Sequence, residues 1–180
     1  MRNATIQGLI SGIILSILLI IGFYLMIQLP KDTSVNSYTN QVLYSGIVAV
    51  TTWISLKQLV KRIPLGMNRM LWFLLVAIVI TAAFFSFATY AYARFIDPNH
   101  LATLLENSKQ NWAEQNYSLQ SIAGQGEWTW YSSPFNYAQM ELRVMLFSLF
   151  IIMLPVATVF YIRYKNKLSP EPNSNPELIY

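Results

Sequence analysis

The sequence predicts an all-α membrane protein: a four-transmembrane-helix bundle with an amphipathic helix in the long extracytoplasmic loop between helices 3 and 4. Three observations carry this reading. Met70 to Ala93 runs for 24 residues without Asp, Glu, Lys or Arg and is closed by Arg69 and Arg94. At about 1.5 Å per residue such a helix extends roughly 36 Å, past a hydrocarbon core of about 30 Å. Of the 180 residues, 54% are hydrophobic and only 11% charged, against roughly a quarter charged in soluble domains. The basic residues, finally, gather at the ends of apolar runs rather than over a surface.

The first span is Gly8 to Leu29. It is too long for the apolar region of a signal peptide, which has about 7–15 residues, and it ends in Gln28-Leu29-Pro30 rather than a small-residue cleavage site. Proline, lacking an N–H, is expected to stop the helix at Pro30. Lys31 to Asn40 is polar and reads as a loop.

The second span, about 40–60, is less apolar and carries Thr51, Thr52 and Ser55. Hydroxyls inside such a helix bond their own i−4 carbonyls or face neighbouring helices, and Lys57 and Lys61 reach the headgroups. Pro64 and Gly66 break the basic stretch Lys57–Arg69 into a short turn. The third span is 70–93.

Asp97 then stands at a helix N-cap with Pro98 at the first helical position. Leu101, Leu104, Leu105 and Trp112 recur at helical spacing while Glu106, Lys109, Gln110 and Glu114 take other faces, which predicts an amphipathic helix over about 98–120. Gly124-Gln125-Gly126 interrupts it. Trp128, Trp130, Tyr131 and Phe135 follow as an interfacial aromatic belt, with recognition of a partner as the sharper alternative. The fourth span is about 142–162, with Pro155 tolerated inside it. Residues 1–167 form one transmembrane domain, and 168–180, rich in proline and polar residues, are expected to be disordered.

Arg2, Lys57, Lys61, Arg62, Arg69, Arg163, Lys165 and Lys167 fall on one side of this topology, and Lys31, Arg94, Lys109 and Arg143 on the other. Eight against four places both termini in the cytoplasm and the protein in the plasma (inner) membrane. With no cysteine in the chain, disulfides, thiolate metal sites and cysteine nucleophiles are excluded. Basic residues confined to helix ends argue against nucleic acid as a partner.

The order GLISG (Gly8–Gly12), KQLVKRIPLG (Lys57–Gly66) and IDPNHLATLLENSKQNWAEQ (Ile96–Gln115) resembles the DUF4199 family, a four-helix bacterial membrane family of unknown function found mainly in Bacteroidota. The resemblance covers about Gly8 to Lys167, and this chain is longer and more aromatic over Gly124–Phe135. It implies a topology and no activity, so it carries over no functional residue.

Gly8, Gly12 and Ser16 make a small-residue stripe on the first span, and Ala82, Ser86, Thr89 and Ala93 a similar one on the third. Packing of these helices on each other explains the stripes more simply than a homodimer face does. His100, the sole histidine, lies near Asp97, Glu106 and Glu114 without a metal-ligand spacing. Ser132-Ser133 lacks the strand–turn–helix setting of a hydrolase nucleophile. Arg94, Glu141 and Arg143 are read as outer helix ends, either paired or separately solvated.

None of the four predicted spans holds an internal Asp, Glu, Lys, Arg or His, which argues against ion-coupled transport. No catalytic residue, cofactor or metal is expected. The leading expectation is a non-catalytic accessory or scaffold subunit whose partners are the lipid bilayer and a membrane protein or a second copy of the chain. The alternative is a small transporter or lipid-handling protein with a path between helices 2 and 3, lined by Thr51, Thr52, Ser55, Thr81, Ser86 and Thr89.

Overall fold

A computed structural model describes residues 2–28, 35–62, 64–114 and 133–168, and among them there are helices and turns but no strand. The helices are α1 (Arg2–Gln28), α2 (Val35–Arg62), α3 (Met67–Ala91), α4 (His100–Glu114) and α5 (Pro134–Leu168). A single π turn, Tyr92–Ile96, extends α3. Among the described residues, four helices are long and apolar enough to cross a membrane: Arg2–Leu25, Val42–Arg62, Met67–Ile96 and Pro134–Asn166. The tail from 169 and the aromatic segment with Trp128, Trp130 and Tyr131 lie outside the described residues.

The four long helices close a ring in which α1 packs on α3, α3 on α5, α5 on α2, and α2 on α1. Helices α1 and α5, and likewise α2 and α3, therefore stand diagonally. Thr5 meets Trp72 and Gly12 meets Thr81, so α1 and α3 run parallel. Tyr44 meets Met145 and Trp53 meets Phe160, so α2 and α5 run parallel as well. Gln7 meets Gln58, which makes α1 and α2 antiparallel. One end of the bundle, the turn end, thus collects Arg2, Lys57, Lys61, Arg62, Arg69, Arg163 and Lys165; the other, the loop end, carries α4.

The sequence dictates which faces turn inward. On α1 the buried residues Ala4, Gln7, Gly8, Ser11, Gly12, Leu15, Ser16 and Leu19 recur at helical spacing, while Ile13, Ile14, Ile17 and Ile21 are exposed. The outward faces are as apolar as the core, and the inward face of α1 is richer in small and polar residues. Lipid accounts for this inversion, because it gives apolar side chains no reason to turn inward. Helix pairing is then driven by close approach and by hydrogen bonds. A Cβ on Gly8 would lie 3.0 Å from Val76 Cβ, and one on Gly12 would lie 2.8 Å from Ile80 Cβ.

Several polar side chains of the long helices are satisfied by neighbouring helices or by their own backbone. Gln7 Nε2 donates to Gln58 Oε1 at 3.0 Å, and Trp72 Nε1 donates to Thr5 Oγ1 at 2.9 Å. Thr52 donates to the carbonyl of Val48 and Thr158 to that of Leu154, both four residues back, as expected of hydroxyls in spans. Thr81 Oγ1 has the Ala77 carbonyl at 2.8 Å and the Gly12 carbonyl of α1 at 3.2 Å. Among the described residues Ser11 Oγ is buried without a hydrogen-bond partner.

Asp97 caps α4 as its position predicts: its Oδ1 accepts from the Asn99 N–H at 3.2 Å and its carbonyl from the His100 N–H at 3.1 Å. Leu101 packs with Ala93 and Tyr137 in a small cluster beside Leu104 and Met140, docking α4 at the loop end. The remainder of the helix expected over 98–120 lies outside the described residues beyond Glu114. Helix α5 begins at Pro134, well before the apolar run that opens at Leu142, and continues through Pro155. Its first turns are held by the Asn136 N–H donating to Ser133 Oγ at 3.2 Å and by Ser86 Oγ donating to the Ala138 carbonyl at 2.6 Å. Glu141 and Arg143 consequently lie about two turns inside α5 rather than at its end.

Candidate functional site: a cavity between α1, α2 and α5

The three helices that meet around Gly22 leave a cavity of about 600 Å³ toward the loop end. Helix α1 lines it with Leu18, Leu19, Gly22 and Phe23, and α3 contributes Phe85. Tyr44, Ser45 and Ile47 of α2 form a second wall. On α5 the lining residues include Val144, Met145, Ser148, Ile151 and Ile152, which recur every three or four positions along one stripe.

Gly22 helps keep the space open. A Cβ built on it would have nothing within 4 Å, in contrast to Gly8 and Gly12, where it would collide with α3. The volume falls in the range of small-molecule sites, roughly 300–1,000 Å³. The walls are mostly apolar, with three hydroxyls. Tyr44 Oη donates to Met145 Sδ at 3.2 Å, and a thioether is a weak acceptor. Ser45 and Ser148 line the cavity without a hydrogen bond among the described residues, although serines in spans ordinarily use a carbonyl of the preceding turn. Hydroxyls with weak or no protein partners facing an apolar space are what a ligand with a few polar atoms would use.

At its loop end the cavity meets an aromatic cluster. Phe23 is edge-on to Phe85 at 5.6 Å and to Tyr92 at 5.7 Å, and Tyr92 is edge-on to His100 at 5.0 Å. The Tyr92 carbonyl accepts a hydrogen bond from the Asp97 N–H at 2.9 Å. His100 sits between Tyr92 and Tyr137, with Nδ1 3.9 Å from Asp97 Oδ2. Among the described residues no three His, Asp or Glu side chains converge as a metal site would need.

The residues singled out by sequence are placed as follows. Gly8 and Gly12 abut Phe73, Val76, Ala77 and Ile80 of α3, before Ala82 in the chain. Ser16 is buried and donates to its own Ile13 carbonyl at 2.8 Å. Ala82 and Thr89 are buried, but the Ser86 hydroxyl turns to α5. Thr51, Thr52 and Ser55 lie on α2, diagonal to Thr81, Ser86 and Thr89 on α3, and none of the six lines this cavity. Trp128, Trp130 and Tyr131 are outside the described residues, whereas Phe135 is 61% exposed at the start of α5.

Gly22, Tyr44, Ser45 and Ser148 escaped the sequence reading because nothing local distinguishes Gly22 from Gly12, or Ser148 from Ser86. The one available signal was the α5 stripe, Glu141, Met145, Ser148 and Ile152, in which two polar residues share a face with the apolar run.

A family model described as a protein of unknown function (DUF4199) matches residues 7–163. No curated protein and no solved structure matches the chain.

Proposed function

The chain belongs to DUF4199, a family of proteins of unknown function, and from that premise we propose that it is a non-catalytic multi-pass membrane protein that holds an amphiphilic lipid in the cavity between α1, α2 and α5. The carrying observation is an apolar space of about 600 Å³ faced by Tyr44, Ser45 and Ser148. An apolar cavity does not recruit water, and an unfilled one forfeits dispersion contacts along its walls. Leu18, Val144 and Ile151 combine cavity lining with exposure above one third, so a hydrocarbon chain has a lateral way in from the bilayer.

This reading keeps lipid handling and moves its site. The hydroxyl-lined path imagined between α2 and α3 would join helices that stand diagonally, and four of its six hydroxyls already bond backbone carbonyls. The accessory-subunit expectation rests on the outer loop and the helix faces as contact surfaces, and the loop's Trp128 and Trp130 lie outside the described residues. We further propose that both termini are cytoplasmic in an inner membrane, on the strength of the eight basic residues that the topology assigns to the turn end.

Purification in mild detergent followed by native mass spectrometry tests the proposal. The wild-type protein is expected to carry a bound lipid, and Gly22→Leu, whose Cβ would have nothing within 4 Å and whose longer side chain would enter the cavity, is expected to lose it. Equal lipid content in the two proteins would refute the cavity as the binding site.

A further inference from the structure

We infer that the cavity selects an amphiphile whose polar end is a protonated amine, with Glu141 as its counter-charge; this rests on the cavity being a lipid site. Glu141 continues the cavity-lining stripe of α5 by one turn. It precedes Met145 by four residues, Ser148 by seven and Ile152 by eleven, so all four project from one face of the helix. Its carboxylate is half-buried, accepts a hydrogen bond from Tyr137, and lies within electrostatic reach of the Tyr44 hydroxyl. The cavity thus has a hydrocarbon body faced by three hydroxyls, and the next turn of α5 beyond its lining carries an acid.

Glu141 is half-buried where the polar start of α5 meets the apolar run that opens at Leu142, and a half-buried acid is costly unless it is hydrogen-bonded and paired with a charge. Tyr137 supplies one hydrogen bond but no charge. A ligand ammonium would supply both, at the rim where aromatic faces add cation–π attraction. A carboxylate or phosphate end group would instead meet like charge, which selects against free fatty acids in this orientation.

Binding of three C12 probes to the purified protein, dodecylamine, dodecanol and laurate, separates recognition of the amine from occupancy of the cavity. The expected order places dodecylamine about tenfold ahead of dodecanol, with laurate weakest. Glu141→Gln keeps an acceptor for Tyr137 and is expected to erase the amine preference while leaving dodecanol binding intact. Glu141→Asp retains the charge and is expected to keep part of the preference, which separates charge from folding defects. Glu106→Gln removes an exposed acid on α4 and is expected to change nothing, which excludes general electrostatic attraction. Equal binding of the three probes to wild type would overturn the amine assignment and leave the lipid site standing. Binding of all three unaffected by Gly22→Leu would overturn the site itself.

Discussion

A methyl group on Gly12 would sit 2.8 Å from Ile80 Cβ and 3.0 Å from the Ala77 carbonyl oxygen. Neither atom is the free end of a flexible side chain, so α1 and α3 would have to separate. Overpacking of this kind costs about 1–3 kcal/mol. Gly12→Ala is therefore expected to lower the thermal midpoint in detergent, whereas Gly22→Ala, with open space before it, is expected to leave it unchanged or raise it slightly. Equal effects at the two glycines would contradict the packing described. Gln7 is the other sharply constrained residue: it is buried and shares its side-chain hydrogen bond with Gln58. Gln7→Leu removes the donor to Gln58, whose own side chain is exposed, and a loss near the membrane average of about 0.6 kcal/mol should appear in denaturant titration.

Among the elements, α4 depends most on its start. The Asp97 carboxylate accepts from the Asn99 N–H while the Asp97 N–H donates to the Tyr92 carbonyl, tying the helix N-terminus to the π turn beneath it. Asp97→Ala is expected to cost about 1 kcal/mol, the usual value of an N-cap, and to speed hydrogen exchange at the first amides of α4 while those of α3 stay protected. Uniform exchange across both helices would mean that α4 does not open independently. The sequence announced this element well, since Asp97-Pro98 is a local signal and needs no tertiary partner to be read. The beginning of α5 was not legible in the same way. Asn136, Gln139, Glu141 and Arg143 look like loop residues by hydropathy, and what makes them helical is docking against α3 through Ser86 and against α4 through Tyr137.

For the whole molecule, hydropathy alone was sufficient to count the spans, because lipid imposes helix length and apolarity on each segment separately. The cavity was invisible for the complementary reason. It belongs to no segment, and is lined by residues of four helices with unremarkable sequences. Charge distribution is intermediate in scale: the run Lys57, Lys61, Arg62 and Arg69 concentrates at one end of the bundle. Reporter fusions after residue 66 and after residue 168 are expected to behave as cytoplasmic, and a fusion within 115–132 as extracytoplasmic. The reverse pattern would invert the proposed orientation without altering the bundle.

The parallel pairing of α1 with α3 also sets a schedule. The two helices share the most extensive interface of the ring, yet α2 separates them in the chain. A nascent chain must therefore insert α1, turn, insert α2 and turn again before the surface that receives Gly8 and Gly12 exists in the membrane. Until then the closest-fitting face of α1 has no mate in its own chain. A chain that stops before α3 is inserted leaves that face against lipid alone, without the close approach that Gly8 and Gly12 are shaped for.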